Sequence, residues 1–205
     1  MIEHIVFDIG RVLIHWDPET PYRDLIPDAD ERAHFLAEIC SPAWNLEQDR
    51  GRSWAAAEDL LIARHPEKAE LIRAYRRHWH TMVPHAYDGT VAILRELIAQ
   101  GRDVTLLTNF AADTFREASG IYPFLREARG ATVSGEIGLI KPDGAIYDHH
   151  AKSFALDPAR SLFIDDVPAN VQGARAAGWQ AIQFLNAEQL RRDLAAHGVT
   201  LRPAA

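Results

Sequence analysis

Three observations predict an α/β fold: a doubly wound parallel sheet with a small inserted α-helical cap domain. The run His4 to Asp8 is apolar on both faces before it ends on an acid. That is the pattern of a strand buried between two helix layers. Beyond Pro84, strand-like and helix-like segments alternate to the end of the chain, which predicts parallel strands joined by right-handed crossovers. From Trp16 to about Tyr87, helical patterns run without a convincing strand. The expected division is therefore a core of residues 1–15 and 88–205 and a helical cap of residues 16–87.

Within the insertion, helices are expected at Asp30 to Ile39, Ser53 to Arg64 and Glu67 to Trp79. Ser53 is a suitable N-cap. In the last of these helices, Leu71, Tyr75 and Trp79 recur four residues apart beside Ile72, which gives one apolar stripe. Trp44 to Gly51 reads as a polar loop between helices. Trp16, Trp44, Trp54 and Trp79, four of the five tryptophans, fall in this segment. They serve either a small helical core or the aromatic lining of a pocket. In the C-terminal part, Asp88 is read as the cap of a helix that carries Val91, Ile93, Leu94, Leu97 and Ile98 inward and stops at Gly101. Strands are expected at Asp103 to Leu107, Ala131 to Ser134, Ser161 to Ile164 and Gln180 to Phe184. Helices are expected at Ala111 to Ala118, Asp143 to Phe154, Pro168 to Ala177 and Ala187 to His197. The ending, Arg202 to Ala205, is expected to fray.

Composition narrows the function classes. The 205 residues are 47% hydrophobic and 25% charged, which is ordinary for a globular chain. A formal charge of −7 without a basic block gives no footprint for nucleic acid. Arg73, Arg76 and Arg77, and Arg191 and Arg192, read as solvated helix faces. Cys40 is the single cysteine, so no internal disulfide is possible, and a buried inert thiol is expected. The N-terminal stretch lacks the basic start and long apolar run of a signal or membrane segment. The expectation is a cytoplasmic protein with neither a membrane nor a nucleic-acid partner, as a monomer or homodimer.

In open parallel sheets, sites form beyond the C-terminal ends of the strands. Asp8, Thr108-Asn109, Lys141 and Asp165-Asp166 all fall at or near such ends. Singly, each has a plain reading as a helix cap or turn residue. Together they suit one chemistry. A carboxylate nucleophile at Asp8 divides phosphate ester hydrolysis into formation and breakdown of an aspartyl-phosphate. An anion attacking an anion needs positive charge, which magnesium supplies from oxygen ligands such as Asp8, Asp165 and Asp166. Lys141 balances the acids and orients the nucleophile. The Thr108 hydroxyl suits a phosphate oxygen, and Asn109 provides a neutral donor beside it.

These stretches carry a resemblance. Phe7-Asp8-Ile9-Gly10-Arg11-Val12, Leu107-Thr108-Asn109, Gly138-Leu139-Ile140-Lys141-Pro142 with Ile146-Tyr147, and Phe163 to Asn170 resemble the haloacid dehalogenase superfamily. Gly173-Ala174 and Ala177-Gly178-Trp179 continue the last match. The subgroup it resembles has a helical cap inserted after the first strand, and includes sugar phosphatases and 2-haloacid dehalogenases. The resemblance implies a Rossmann-like core and magnesium held by Asp8, the carbonyl of Gly10 and Asp166, with Asp165 as a direct or supporting ligand. It further implies phosphoryl binding by Thr108 and Lys141, and support of the metal site by Asn170.

One position departs from the pattern. Most phosphatases of this superfamily carry a second aspartate two residues after the nucleophile, where it protonates the leaving oxygen and then activates water. Gly10 stands there. Some sugar-phosphate phosphatases of the subgroup also have the glycine, and dehalogenases lack the acid as well. The adjacent acids Asp165 and Asp166 favour the metal-dependent phosphatase over a metal-independent dehalogenase, because clustered carboxylates repel unless a cation is present. Tyr147 does not discriminate between the two. A non-catalytic protein that binds a phosphorylated ligand is the other alternative, and a phosphomutase ranks low. His15 and Asp17 are candidates to replace the missing acid. Glu47, Asp49 and Arg50 could face substrate from the polar loop, with Glu47 and Arg50 expected to bind it. His78, His80 and His85 read as surface or hinge residues. The expected partner is a small phosphorylated metabolite.

Overall fold

Strand β1 (His4–Phe7) lies at the centre of the sheet, between β2 (Asp103–Thr108) and β4 (Ser161–Asp165). β3 (Ala131–Val133) and β5 (Gln180–Gln183) close the two edges, giving the order β3-β2-β1-β4-β5 in a computed structural model that describes residues 1–201. All pairings are parallel. The expected fraying of Arg202 to Ala205 lies outside the described residues.

Register and alternation give the sheet two apolar faces. Ile5 lies opposite Val104 and Leu162, and Val6 opposite Thr105 and Phe163. Because successive side chains point to opposite faces, Ile5, Phe7, Leu106 and Ile164 join one hydrophobic cluster, while Val6, Leu107 and Phe163 join another. Helices α6 (Asp88–Ala99) and α11 (Ala187–Ala196) cover the first face with Leu94, Leu97, Leu190 and Leu194. Helices α9 (Gly144–Phe154) and α10 (Pro168–Ala176) cover the second with Ile146, Tyr147, Val171 and Ala174. The sheet is therefore doubly wound, as its sequence pattern predicts. Two short helices, α7 (Ala112–Ile121) and α8 (Ser134–Ile137), follow β2 and β3.

Between β1 and β2 the described residues form no strand. They form α1 (Tyr22–Leu25), α2 (Ala29–His34) continued by a π-helical turn at Phe35–Ile39, α3 (Pro42–Asp49), α4 (Trp54–Ile62) and α5 (Ala69–Arg77). Tyr22, Phe35, Ile72 and Tyr75 are buried among these helices, with the rings of Trp44 and Tyr75 5.2 Å apart. The chain leaves and rejoins the sheet side by side: His15 donates to the His85 carbonyl at 3.0 Å and Tyr87 to that of Leu13 at 2.9 Å. Cys40 is buried, and burial pushes its thiol up to about 12 despite a hydrogen bond with Tyr22. No helix among the described residues is long and apolar enough to cross a membrane.

Three local expectations need correction. The stretch read as a loop from Trp44 to Gly51 is mostly helix α3: Ser41 caps it by accepting from the Trp44 N–H at 3.2 Å, and Pro42 fills its first turn. Asp88 is the first residue of α6 and makes no side-chain cap; Tyr87 holds the cap position. Arg76 is not a solvated charge. It is half-buried and reaches α7, at 3.1 Å from Asp113 and 3.0 Å from Glu117. Ser53 does cap α4, accepting from the Ala56 N–H at 3.3 Å.

Candidate active site

The tips of β1, β2 and β4 and the loop before α9 bring together residues that are distant in sequence. Asp8 follows β1 directly, and its N–H donates to the Ile164 carbonyl at 2.9 Å, so the strand pairing fixes its backbone. The buried Lys141 ammonium lies 2.7 Å from Asp8 Oδ1 and 2.7 Å from Asp165 Oδ2, and 5.3 Å from the centroid of the Phe163 ring. Asn109 clamps the Lys141 backbone at both ends: its Oδ1 accepts from the Lys141 N–H at 2.8 Å, and its Nδ2 donates to the Lys141 carbonyl at 3.0 Å. The expected free donor at Asn109 is thus committed to positioning Lys141.

Asp165 is fully buried and its oxygens are occupied. They accept from Lys141 Nζ at 2.7 Å, the Val167 N–H at 2.8 Å and Asn170 Nδ2 at 3.1 Å. The carbonyl of Asn170 in turn accepts from the Tyr147 hydroxyl at 2.7 Å. Tyr147, Asn170, Asp165, Lys141 and Asp8 form one chain of polar contacts from the helix layer on one face of the sheet to the C-terminal end of its central strand. Gly173 lets α10 approach closely, since a Cβ there would meet the Pro142 carbonyl oxygen at 2.5 Å.

The electrostatics are unbalanced. Asp8, Asp165 and Asp166 offer three carboxylate oxygens within 4.8 Å of one another. Against them stands the single ammonium of Lys141, which leaves an excess of negative charge that a divalent cation would offset. Burial raises the pKa of Asp8, Lys141 lowers it, and Asp165 raises it again, with a net upward shift. Asp166 is likewise raised by burial and by Asp165, against Arg11 and Lys141. Burial works against the Lys141 ammonium, yet Asp165 and Asp8 outweigh it and hold its pKa above the ordinary value. The buried Thr108 hydroxyl beside this cluster has no hydrogen-bond partner among the described residues. An unpaired buried hydroxyl costs about 1–3 kcal/mol unless a ligand or water satisfies it. A phosphoryl oxygen would do so. The donor set therefore fits a divalent metal together with a phosphate group.

A cavity of about 310 Å³ opens over Asp8, Thr108, Lys141 and Asp166 and extends under α3 to Tyr75. A second, of about 90 Å³, adjoins it and is lined by Trp16, Trp54, Trp79, Phe110, His15 and Asp49 among others. Gly10, Trp16, Asn45 and Asn109 line both. The tryptophans thus serve two ends, packing among the helices and facing this space. Gly10 is followed by Arg11 at φ 57°, a left-handed turn that few residues adopt away from functional loops.

The structure does not bring Glu47 or Arg50 to either cavity. Both are exposed; Arg50 lies 3.8 Å from Glu47 and 3.9 Å from Asp143. Helical geometry explains this, because residues four apart share a face. In α3 that inward face carries Asn45 and Asp49, with Asn45 Nδ2 donating to Asp49 Oδ2 at 3.2 Å. The Ser41-Pro42 start gave the signal, since a helix begun there sets the phase. Asp17 faces away and holds its own turn through the Glu19 N–H, Thr20 and Arg23. His15 lies 2.9 Å from the Tyr87 hydroxyl and stacks on the exposed His85 with centroids 4.8 Å apart.

Comparison with known proteins identifies a family and a shared fold. Residues 2–178 match the family described as haloacid dehalogenase-like hydrolase. The sesquiterpene phosphatase astK of Aspergillus oryzae is 28% identical over 177 residues, 84% of this chain and 85% of that protein. The phosphoserine phosphatase of Thermus thermophilus is 31% identical over 121 residues, 57% of this chain and 47% of its own length. Among solved structures, a family enzyme of Bacteroides thetaiotaomicron in complex with magnesium and inorganic phosphate superposes with a TM-score of 0.69 at 19% identity, covering 91% of this chain and 96% of its own. An L-2-haloacid dehalogenase of Xanthobacter autotrophicus with covalently bound chloropropionic acid gives 0.65 at 17%, covering 98% and 85%. These two likenesses speak to the fold.

Proposed function

We propose that this chain, which belongs to the haloacid dehalogenase-like hydrolase family by its match over residues 2–178, is a magnesium-dependent phosphatase acting on a small phosphate monoester. The observation that carries the reading is the trio of carboxylates Asp8, Asp165 and Asp166 around one ammonium. Asp8, Asp166 and the Gly10 carbonyl would hold the ion, and Asp165, whose oxygens are occupied, would support them. Magnesium, when bound, neutralises the oxygens of the transferring phosphoryl group.

The chain's own residues do the rest. Lys141 holds Asp8 in place and, against burial and Asp165, favours the ionised carboxylate that attacks phosphorus. Attack displaces the alcohol and leaves an aspartyl-phosphate, which water then opens. The Thr108 hydroxyl, unpaired among the described residues, donates to a phosphoryl oxygen. Residues 16–87 act as a cap that excludes bulk water and selects the leaving group. The smaller cavity, which adjoins the one over Asp8, is lined by Trp16, Trp54 and Trp79 as well as by Asn45 and Asn109. It suits an alcohol with an apolar or ring face, a sugar or a hydrocarbon-bearing metabolite, and the sesquiterpene phosphatase relative supports the latter.

A metal-independent 2-haloacid dehalogenase is the second reading, because Gly10 provides no proton for a leaving alcohol and halide needs none. Release of phosphate from an aryl phosphate with magnesium, lost on chelation and in Asp8→Asn, supports the phosphatase. Chelator-insensitive release of chloride from 2-chloropropionate would replace it with the dehalogenase.

A further inference from the structure

Gly10 supplies no acid, yet a leaving alkoxide needs a proton. Resting on the phosphatase reading, we infer that Asp49 of α3 is the general acid and base of the reaction, acting from the opposite wall of the cavity that Gly10 lines. Gly10 and Asp49 share that cavity, and it joins the space over Asp8 at Gly10, Asn45 and Asn109. A Cβ built on Gly10 meets nothing within 4 Å, so the space beside the nucleophile that a side chain would fill is open.

Asp49 is held toward that space. Its carbonyl accepts from Ser134 Oγ at 2.5 Å, and Ser134 Oγ also accepts from the Phe110 N–H at 2.9 Å. These bonds pin the end of α3 to the loops that follow β2 and β3. Its carboxyl accepts from Asn45 Nδ2 at 3.2 Å and lies in the field of the Ala111 N–H, which leaves lone pairs for a proton and a substrate. The groups around it are the Lys141 ammonium, the Tyr75 hydroxyl, His15 and Thr114. Burial pushes the carboxyl up to about 7, against the pull of the Ala111 N–H and Lys141. A group poised there gives and takes a proton near neutral pH.

The step balances. An Asp8 oxygen bonds phosphorus as the ester P–O bond breaks, and the leaving oxygen takes the Asp49 proton to become the alcohol. Water then bonds phosphorus, giving a proton to the Asp49 carboxylate, while the P–O bond to Asp8 breaks. Phosphate departs, and both carboxyl groups return to their starting states.

The test measures first turnovers of the magnesium-loaded full chain. It compares the fastest substrate in a panel of alkyl phosphates with 2,4-dinitrophenyl phosphate, whose phenolate leaves without a proton. Asp49→Asn should slow alcohol release from the alkyl ester by about 100-fold or more while leaving the dinitrophenolate burst unchanged. Phosphorylated enzyme should accumulate after that burst, because water is no longer activated. Gly10→Asp, placed in the Asp49→Asn chain, should recover the alkyl ester about tenfold by setting a new acid in the open space. The wild-type protein gives a readout that needs no variant: the ratio of alkyl ester turnover to the dinitrophenolate burst should fall as pH rises through about 7, because ionisation of Asp8 acts on both esters and loss of the Asp49 proton on one. Equal slowing of both esters by Asp49→Asn would overturn the inference and leave Asp49 as a fastening for α3, with the phosphatase reading intact. Selective loss in His15→Gln instead would assign the role to His15. A wild-type protein active on the dinitrophenyl ester alone would overturn the inference, and one that turns over neither ester would remove the phosphatase reading with it.

Discussion

The two walls of the candidate site are built on opposite principles. On the sheet side, Asp8, Lys141, Asp165 and Asn170 are buried and interlocked, each side chain held by the next over distances of 2.7 to 3.1 Å. On the helical side, α3 offers Asn45 and Asp49 among tryptophan rings, with fewer polar partners and adjoining cavity space. The sheet wall can hold charge still at the reacting phosphorus. The helical wall offers apolar rings and two polar side chains, which is where a leaving group would be chosen. Fixed dipoles and charges stabilise a transition state only if they need not reorganise, so the rigid wall belongs with the nucleophile.

Substitutions can break that contrast. The largest effect is expected from Lys141→Met, which removes the one cation between Asp8 and Asp165. Turnover should fall at least about 1000-fold, and stability by about 3 kcal/mol, because two buried carboxylates lose their partner. Denaturant melts and aryl phosphate assays read the two effects separately, and an active, fully stable variant would mean that the ammonium is incidental.

The sheet side should also dominate the response to acid. His150 is fully buried between the Thr105 and Thr132 hydroxyls at 2.9 and 2.8 Å. Burial, then His149 and Arg129, lowers its pKa from 6.5 to about 3. Between those values the unfolded chain binds a proton that the folded one refuses, so stability present above pH 6.5 is lost as pH falls toward 3. The slope from this one group approaches about 1.4 kcal/mol per pH unit. Thermal melts across that range should show it in the wild-type protein and lack it in His150→Gln. Parallel profiles would exclude His150 as the cause.

A smaller effect separates binding from stability. Thr108→Val removes a hydroxyl that has no partner among the described residues while keeping the side-chain shape. Stability should hold or rise, while KM for a phosphate ester rises about tenfold, the loss of one hydrogen bond to a charged group. A drop in melting temperature without a change in KM would show that the hydroxyl serves the fold. The smallest effect is expected at the outer face of α3. Glu47→Gln with Arg50→Gln should change turnover by no more than about twofold, since both side chains are exposed and their pairing is at the surface.

The strand-end part of the sheet wall was legible in the sequence because its residues close short apolar runs. Asp8, Thr108 and Asp165 stand where β1, β2 and β4 finish, and strand ends are where such sheets bind ligands. The bonds between them were not legible. Nothing local says that Asn109 spends its amide on Lys141, a contact across 32 residues, or that Asn170 saturates Asp165. The helical wall was misread for a different reason. Asn45 to Arg50 is almost wholly polar, so no apolar period announced a helix, and the Ser41-Pro42 start was the only cue. A loop gives Glu47, Asp49 and Arg50 equal access to substrate, whereas the phase of α3 turns Asn45 and Asp49 inward together and leaves Glu47 and Arg50 outside.

The central claim is that Asp8 forms a bond to phosphorus with magnesium present. Acid quenching of the protein during turnover of an aryl phosphate, followed by peptide mass spectrometry, tests it directly. The account predicts a phosphorylated Asp8 that appears with magnesium, disappears on chelation and is absent from Asp8→Asn. A carboxylic ester on Asp8 after incubation with 2-chloropropionate, formed equally well in the presence of chelator and without any phosphorylated Asp8 in the parallel sample, would contradict it.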